Sequence, residues 1–149
     1  MSSSSLPSVK GKIQGLTPHG PGFSFVDSCD VDRQNKRALG TKLLEANAWY
    51  FKDHFPGRPL MPGVLLIEAA AQVCGILWQT LADADQMKPL VVAETQRFRF
   101  SRPVLPGETL RIEAALEKDF GSIAQFSARV LVGEEIAAQG GVTLARPKD

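Results

Sequence analysis

Cysteine is scarce, with only Cys29 and Cys74 among 149 residues. A small secreted scaffold carries more, so both are read as reduced thiols of a cytoplasmic protein. They stand 45 residues apart, and no zinc-ligand spacing occurs, so no metal is expected. A charge excess is also missing: 17 Lys plus Arg face 16 Asp plus Glu, a net +1. A general nucleic-acid binder carries a strong basic surplus, so no nucleic-acid partner is expected. Residues Met1 to Pro7 are serine-rich and lack both a basic and an apolar stretch, so a flexible tail over 1–7 and no secretory signal are expected. The longest apolar stretch, Val64 to Ala71, is broken by Glu68, so no helix is expected to span a membrane. Neither a G-x-G-x-x-G nor a phosphate-loop pattern appears.

What is present is material for a core. Hydrophobic residues make up 44% of the chain, and its length suits one domain over 8–149. Area scaling lets a chain of this size bury roughly two-thirds of its unfolded surface, so no staples are needed.

Hydrophobic periodicity gives the elements. Phe23 to Asp30 alternates weakly and reads as a strand, and Arg37 to Ala46 as another. Asn47 to Pro62 combines Trp49, Tyr50, Phe51 and Phe55 with Pro56, Pro59 and Pro62. Prolines this dense exclude a helix or a central strand, so a packed, apolar, functional loop is expected. Pro62 to Leu81 is apolar almost all round, the pattern of a buried helix. Its polar exceptions, Glu68, Gln72 and Gln79, share one stripe. Leu90 to Phe100, Thr109 to Asp119, Ser122 to Val132 and Glu135 to Ala145 read as strands joined by short turns. The expectation is an α+β fold, with an antiparallel sheet wrapped around one long central helix.

Few residues are equipped for proton chemistry. The histidines are His19 and His54, the latter in the proline-rich loop. Glu68 lies on a helix that otherwise rejects charge, so it must be paired, hydrogen-bonded or neutral. A carboxyl kept neutral is what a proton donor at neutral pH needs. Gly63 and Val64 open the helix, where free N–H groups and the dipole favour developing negative charge. Gln72, one turn beyond Glu68, is a candidate to orient its carboxyl, or a satisfied interior amide. Base, acid and oxyanion donors within fifteen residues make an active-site set. Taken singly, each has a bland alternative. His54 can be a solvated loop residue and Glu68 can bond a backbone group. His19, with no acidic neighbour in sequence, reads as structural.

The run His54-Phe55-Pro56-Gly57-Arg58-Pro59-Leu60-Met61-Pro62-Gly63-Val64-Leu65-Leu66-Ile67-Glu68-Ala69-Ala70-Ala71-Gln72 strongly resembles the signature of bacterial β-hydroxyacyl-acyl-carrier-protein dehydratases. The resemblance extends from Pro18-His19 through Arg97-Phe98-Arg99-Phe100-Ser101-Arg102-Pro103 to the final strands. It implies the hot-dog fold and conversion of a 3-hydroxyacyl thioester into a trans-2-enoyl thioester, with no cofactor or metal. By resemblance, His54 takes the α-proton, Glu68 helps the β-hydroxyl leave, and the Gly63 N–H binds the thioester oxygen. It also implies sites shared between the subunits of a homodimer, with hexamers built as trimers of dimers. An acyl carrier protein is the implied partner, and Arg97, Arg99 and Arg102 are candidates to dock it, with Lys52 and Arg58 nearby. Leu66, Ala70, Phe98 and Phe100 are candidate liners of an acyl tunnel, or plain core. Glutamate at position 68 resembles the branch that only dehydrates.

One departure stands out. Relatives often carry Arg-Tyr-Pro-Phe after Pro-His, whereas this chain has Gly20-Pro21-Gly22-Phe23. The substrate entrance is therefore expected to differ. Two other readings remain: a hot-dog thioesterase, which usually lacks His-Phe-Pro-Gly, and a non-catalytic acyl-carrier or thioester-binding module.

Overall fold

The computed structural model describes residues 8–10, 17–52, 57, 59–85 and 88–147. The expected 1–7 tail and the loop residues 53–56 and 58 lie outside these. The strands are β1 Ser8–Lys10, β2 Ser28–Asp32, β3 Arg37–Leu43, β4 Val91–Phe100, β5 Thr109–Asp119, β6 Ile123–Val132 and β7 Glu135–Ala145. The helices are α1 Trp49–Lys52 and α2 Gly63–Leu81. All strand pairs are antiparallel, in the order β1-β2-β3-β5-β6-β7-β4. Helix α2 falls in sequence between β3 and β4, so the chain crosses the sheet along α2 and sets β4 at the far edge.

The period-two pattern explains how the sheet faces the helix. Leu110, Ile112 and Ala114 of β5 and Ala124, Phe126, Ala128 and Val130 of β6 point inward and are buried. They meet Val73, Cys74, Leu77 and Trp78 of α2, all at 1% exposure or less. Each large side chain buried this way contributes roughly 1.5–3 kcal/mol. By length and composition α2 could cross a membrane, but 72% of that stretch is buried within this fold. It is a core helix.

Three elements differ from the sequence expectation. A short strand, β1, precedes those the sequence indicates. The strand expected from Phe23 is β2 and begins at Ser28. Phe25 and Val26 are buried, but Pro21–Phe23 forms a single 3-10 turn that leads the chain over α2. Trp49–Lys52 is a short helix inside the segment expected to be irregular, because the prolines begin only at position 56 and leave these four residues unconstrained.

Candidate active site

Helix α2 brings Glu68 and Gln72 together because residues four apart stack on one face. Gln72 is buried and fully engaged. Its Oε1 accepts the Phe25 N–H at 2.8 Å, and its Nε2 donates to Phe23 O at 2.9 Å and to Glu68 Oε2 at 3.0 Å. The Phe25 N–H can only donate, so the amide orientation follows from the network. Gln72 thus fixes the 20–25 segment to the helix and holds one oxygen of Glu68.

His19 approaches the same oxygen. Its Nε2 lies 3.4 Å from Glu68 Oε2, a long polar contact, with the two side chains 33% and 25% exposed. His19 has no acidic neighbour in sequence, and the fold supplies one from 49 residues away. Its ring packs beside Phe23, with centroids 5.8 Å apart. His19 Nδ1 is buried and has no partner among the described residues. Sequence position alone could not find this contact. With both neighbours on Oε2, Glu68 Oε1 has no hydrogen-bond partner among the described residues. That leaves Oε1 as the oxygen available to a ligand.

A cavity of about 310 Å³ opens against this group, bounded by His19, Phe23, Glu68 and Gln72 at one end. The volume is at the lower end of the ~300–1,000 Å³ common for small-molecule sites. The candidate liners Leu66 and Ala70 do not reach it: they are 2% and 0% exposed and belong to the core. Spacing from Glu68 explains this, since positions 71, 72, 75 and 79 share its stripe whereas 66 and 70 do not. Phe98 packs over Gly140, and Phe100 stands over Gly63.

At the start of α2, Leu65 and Leu66 N–H reach back to Pro62 O, and no side chain caps the helix. The N–H groups of Gly63 and Val64 have no such bond among the described residues. A Cβ on Gly63 would lie 3.0 Å from the Phe100 ring, so glycine allows this close approach. His54 lies outside the described residues, and so does Arg58.

The arginines divide. Arg102 is committed within the fold: its Nη2 lies 2.8 and 3.0 Å from the two Glu108 oxygens, and its Nη1 is 3.4 Å from Glu135. Arg97 and Arg99 instead line a broad outer-face groove of about 890 Å³ together with Arg37, Arg111 and Arg129. Glu113 neutralises part of this charge, accepting from Arg129 Nε at 2.9 Å and lying 3.4 Å from Arg111. Arg97 and Arg99 make no salt bridge among the described residues. No group of three or more His, Cys, Asp or Glu that could hold a metal occurs among the described residues.

Comparison with known proteins places this geometry in context. The FabA-like domain model matches residues 17–140. The chain is 41% identical over 133 residues to the 3-hydroxyacyl-[acyl-carrier-protein] dehydratase FabZ of Moorella thermoacetica, covering 89% of this chain and 92% of that protein. It is 38% identical over 134 residues to the FabZ of Clostridioides difficile, covering 90% and 94%. In structure it is similar to the dehydratase heterocomplex ApeI:P of Xenorhabdus doucetiae, with a TM-score of 0.77 over 92% of this chain and 91% of that one at 14% identity. The E. coli PaaI protein of the phenylacetic acid degradation operon aligns with a TM-score of 0.58 at 15% identity, covering 76% and 75%. These two structures report the hot-dog fold alone.

Proposed function

From the premise that this chain belongs to the FabA-like dehydratase family, we propose that Glu68 is the acid of its reaction, with Gln72 and Oε1 arranged to serve that role. The protein is a 3-hydroxyacyl-[acyl-carrier-protein] dehydratase of fatty acid biosynthesis. It removes water from a 3-hydroxyacyl thioester and leaves a trans-2-enoyl thioester. The single observation that carries the site assignment is the Glu68 carboxyl beside a cavity, held on Oε2 and, among the described residues, unbonded on Oε1.

The residues divide the work by chemistry. The α-proton is weakly acidic, so charge reaching the thioester oxygen must be stabilised as the base acts. The N–H groups of Gly63 and Val64, unbonded among the described residues, suit that charge, and losing one such donor typically costs 10²–10³-fold. His54 is assigned as the base that takes the α-proton. Hydroxide leaves poorly, so Glu68 Oε1 delivers a proton to the β-oxygen, and water departs. Electrons from the α-C–H bond become the new double bond as the C–O bond breaks. Over the step one proton moves to His54 and one leaves Glu68, so both must be reset before the next turnover.

The assembly proposed is a homodimer, with hexamers as its further association. The support is β4, a ten-residue edge strand whose residues are all exposed except Phe98, which is half-buried. Val91 at 50% and Phe100 at 51% exposure lie along it. A long exposed edge strand is a ready template for pairing, and a second copy is the partner that would satisfy it. Such pairing would set the mouth of α2, where Val64 is 71% exposed, against the neighbouring protomer. The substrate arrives on an acyl carrier protein, and Arg97 and Arg99 are proposed to meet its acidic surface. The buried thiols Cys29 and Cys74 fit a reducing, cytoplasmic setting.

The test follows enoyl absorbance and free thiol together after adding a 3-hydroxyacyl thioester. Enoyl formation without thiol release is expected. Thiol release would move the protein to the thioesterases, and silence on both would make it a binding module.

A further inference from the structure

The reaction as assigned makes no use of His19, although it stands beside the acid. The charged or titratable groups lining the cavity are Glu68 on α2, His19 on the 17–23 segment and Lys88 ahead of β4. Lys88 is bound through its backbone to Gln79, about three turns along α2 from Glu68. His19 alone of these reaches Glu68, with Nε2 3.4 Å from Oε2.

The imidazole is held in place from several sides. The His19 N–H approaches Thr17 Oγ1 at 3.4 Å, and the ring packs on Phe23, which meets Phe25 edge-on at 5.2 Å. Gln72 ties the same segment to α2, and Trp49 Nε1 of α1 donates to Gly22 O at 2.9 Å. The two ring nitrogens have unlike surroundings. Nδ1 is buried without a partner among the described residues, whereas Nε2 faces a carboxyl oxygen. A proton on Nδ1 would be a buried donor with no acceptor, and costlier still on a cation. The favoured form is therefore the neutral ring with its proton on Nε2, directed at Oε2.

A neutral donor suits an acid better than a cation does. A cation at Oε2 would hold Glu68 as carboxylate and leave it no proton to give. A neutral N–H lets the carboxyl carry its proton on Oε1, and the contact strengthens as the carboxylate forms. With Nδ1 enclosed, the ring has no second nitrogen through which to pass a proton onward, so it is not a relay.

We propose that His19 is a positioning residue of the dehydration: with Gln72 it forms a two-donor cradle on Glu68 Oε2 that places the transferable proton on Oε1 and stabilises the carboxylate left behind. The proposal rests on the dehydratase reading above. In the step, the Oε1–H bond breaks, its electron pair stays on the carboxylate, and the β-oxygen takes the proton. The C–O bond breaks and its pair leaves with the water. His19 keeps its own proton throughout. The 3.4 Å separation shortens as charge builds on Oε2, as catalytic contacts commonly do once substrate is bound.

The experiment measures kcat, KM and the pH profile of kcat for a 3-hydroxyacyl N-acetylcysteamine thioester, with unfolding midpoints. It uses wild type, His19→Phe, His19→Gln, Glu68→Gln and the double variant His19→Phe with Glu68→Gln. Phenylalanine keeps a ring against Phe23 and removes the N–H, and glutamine returns a neutral donor near Nε2. His19→Phe is expected to lower kcat roughly three- to tenfold with KM near wild type, the worth of one hydrogen bond to a group gaining charge. Its alkaline limb, where the acid has lost its proton, moves up by about one unit because the carboxylate has lost a donor. His19→Gln restores most of kcat and the position of the limb. In the Glu68→Gln background, His19→Phe changes kcat by less than about twofold. Should His19→Phe fail to fold, His19→Leu takes its place. A loss of kcat with an unmoved limb, a loss that glutamine does not restore, an equal loss in both backgrounds, or no loss at all overturns the proposal and leaves the dehydratase reading intact. A wild type that forms no enoyl product removes both.

Discussion

Gln72 bridges two parts of the chain 47 residues apart: it accepts the Phe25 N–H at 2.8 Å while donating to Glu68 Oε2 at 3.0 Å. One side chain therefore secures the wall of the cavity and the acid inside it. Gln72→Leu removes both functions. It strands the Phe25 N–H and the Phe23 carbonyl, each costing about 1–3 kcal/mol where water cannot replace the bond. The expected outcome is a lower unfolding midpoint together with a kcat loss of at least tenfold, read by calorimetry and enoyl absorbance on the same preparation.

The two classes of arginine respond differently to charge reversal. Arg97→Glu with Arg99→Glu is expected to raise KM for carrier-linked substrate about tenfold, and to leave small thioester substrates near wild type. Arg102→Glu instead breaks the contact with Glu108 and lowers stability by about 1 kcal/mol or more, with no discrimination between the two substrates. Equal loss on both substrates for the first variant would move the carrier elsewhere.

The β4 edge gives a prediction about assembly. A lysine at Val91 places charge on the pairing edge, a device that blocks strand addition. Sedimentation is expected to show a dimer for the wild type and a shift towards monomer for Val91→Lys. A second test uses complementation. If each site draws on two protomers, mixing His54→Ala with Glu68→Gln under subunit exchange restores part of the activity that neither variant has alone.

The thiols set a pH window. Burial pushes Cys29 up from 9.0 to about 12, with Asp30 adding to the effect, and burial raises Cys74 as well, with Cys29 contributing. The fold keeps these thiols protonated, whereas the unfolded chain releases their protons first as pH rises. Their contribution is therefore present below pH 9 and declines as pH climbs from 9 towards 12. The unfolding midpoint should fall over that window, and less steeply in Cys29→Ala than in wild type. At pH 7.5 a thiol reagent should label neither cysteine until denaturant is added.

The sequence carried the fold further than it carried the site. The apolar circumference of α2 and the period-two strands β4 to β7 are local patterns, and they place the helix inside an antiparallel sheet before any coordinates are known. The spacing of four between Glu68 and Gln72 likewise implies one helix face. Contacts across the chain were not legible. Nothing local pairs His19 with Glu68, because the turn at Pro21–Phe23 that brings them together is held by Gln72 from another element. The strand expected from Phe23 was misplaced for the same reason: burial of Phe25 imitates a strand pattern while its backbone bonds a glutamine side chain. Arg102 resembled its neighbours in sequence, and only the fold shows that Glu108 and Glu135 occupy it.

The most direct measurement of the central claim is kcat for Glu68→Gln on a 3-hydroxyacyl thioester, with the unfolding midpoint taken alongside. The substitution keeps the shape and the contact to Gln72 but removes the transferable proton. A loss of at least ~10²-fold with a midpoint close to wild type is expected, within the range of positioned acids and bases. A loss below severalfold would contradict the account and leave Glu68 as a structural partner of Gln72.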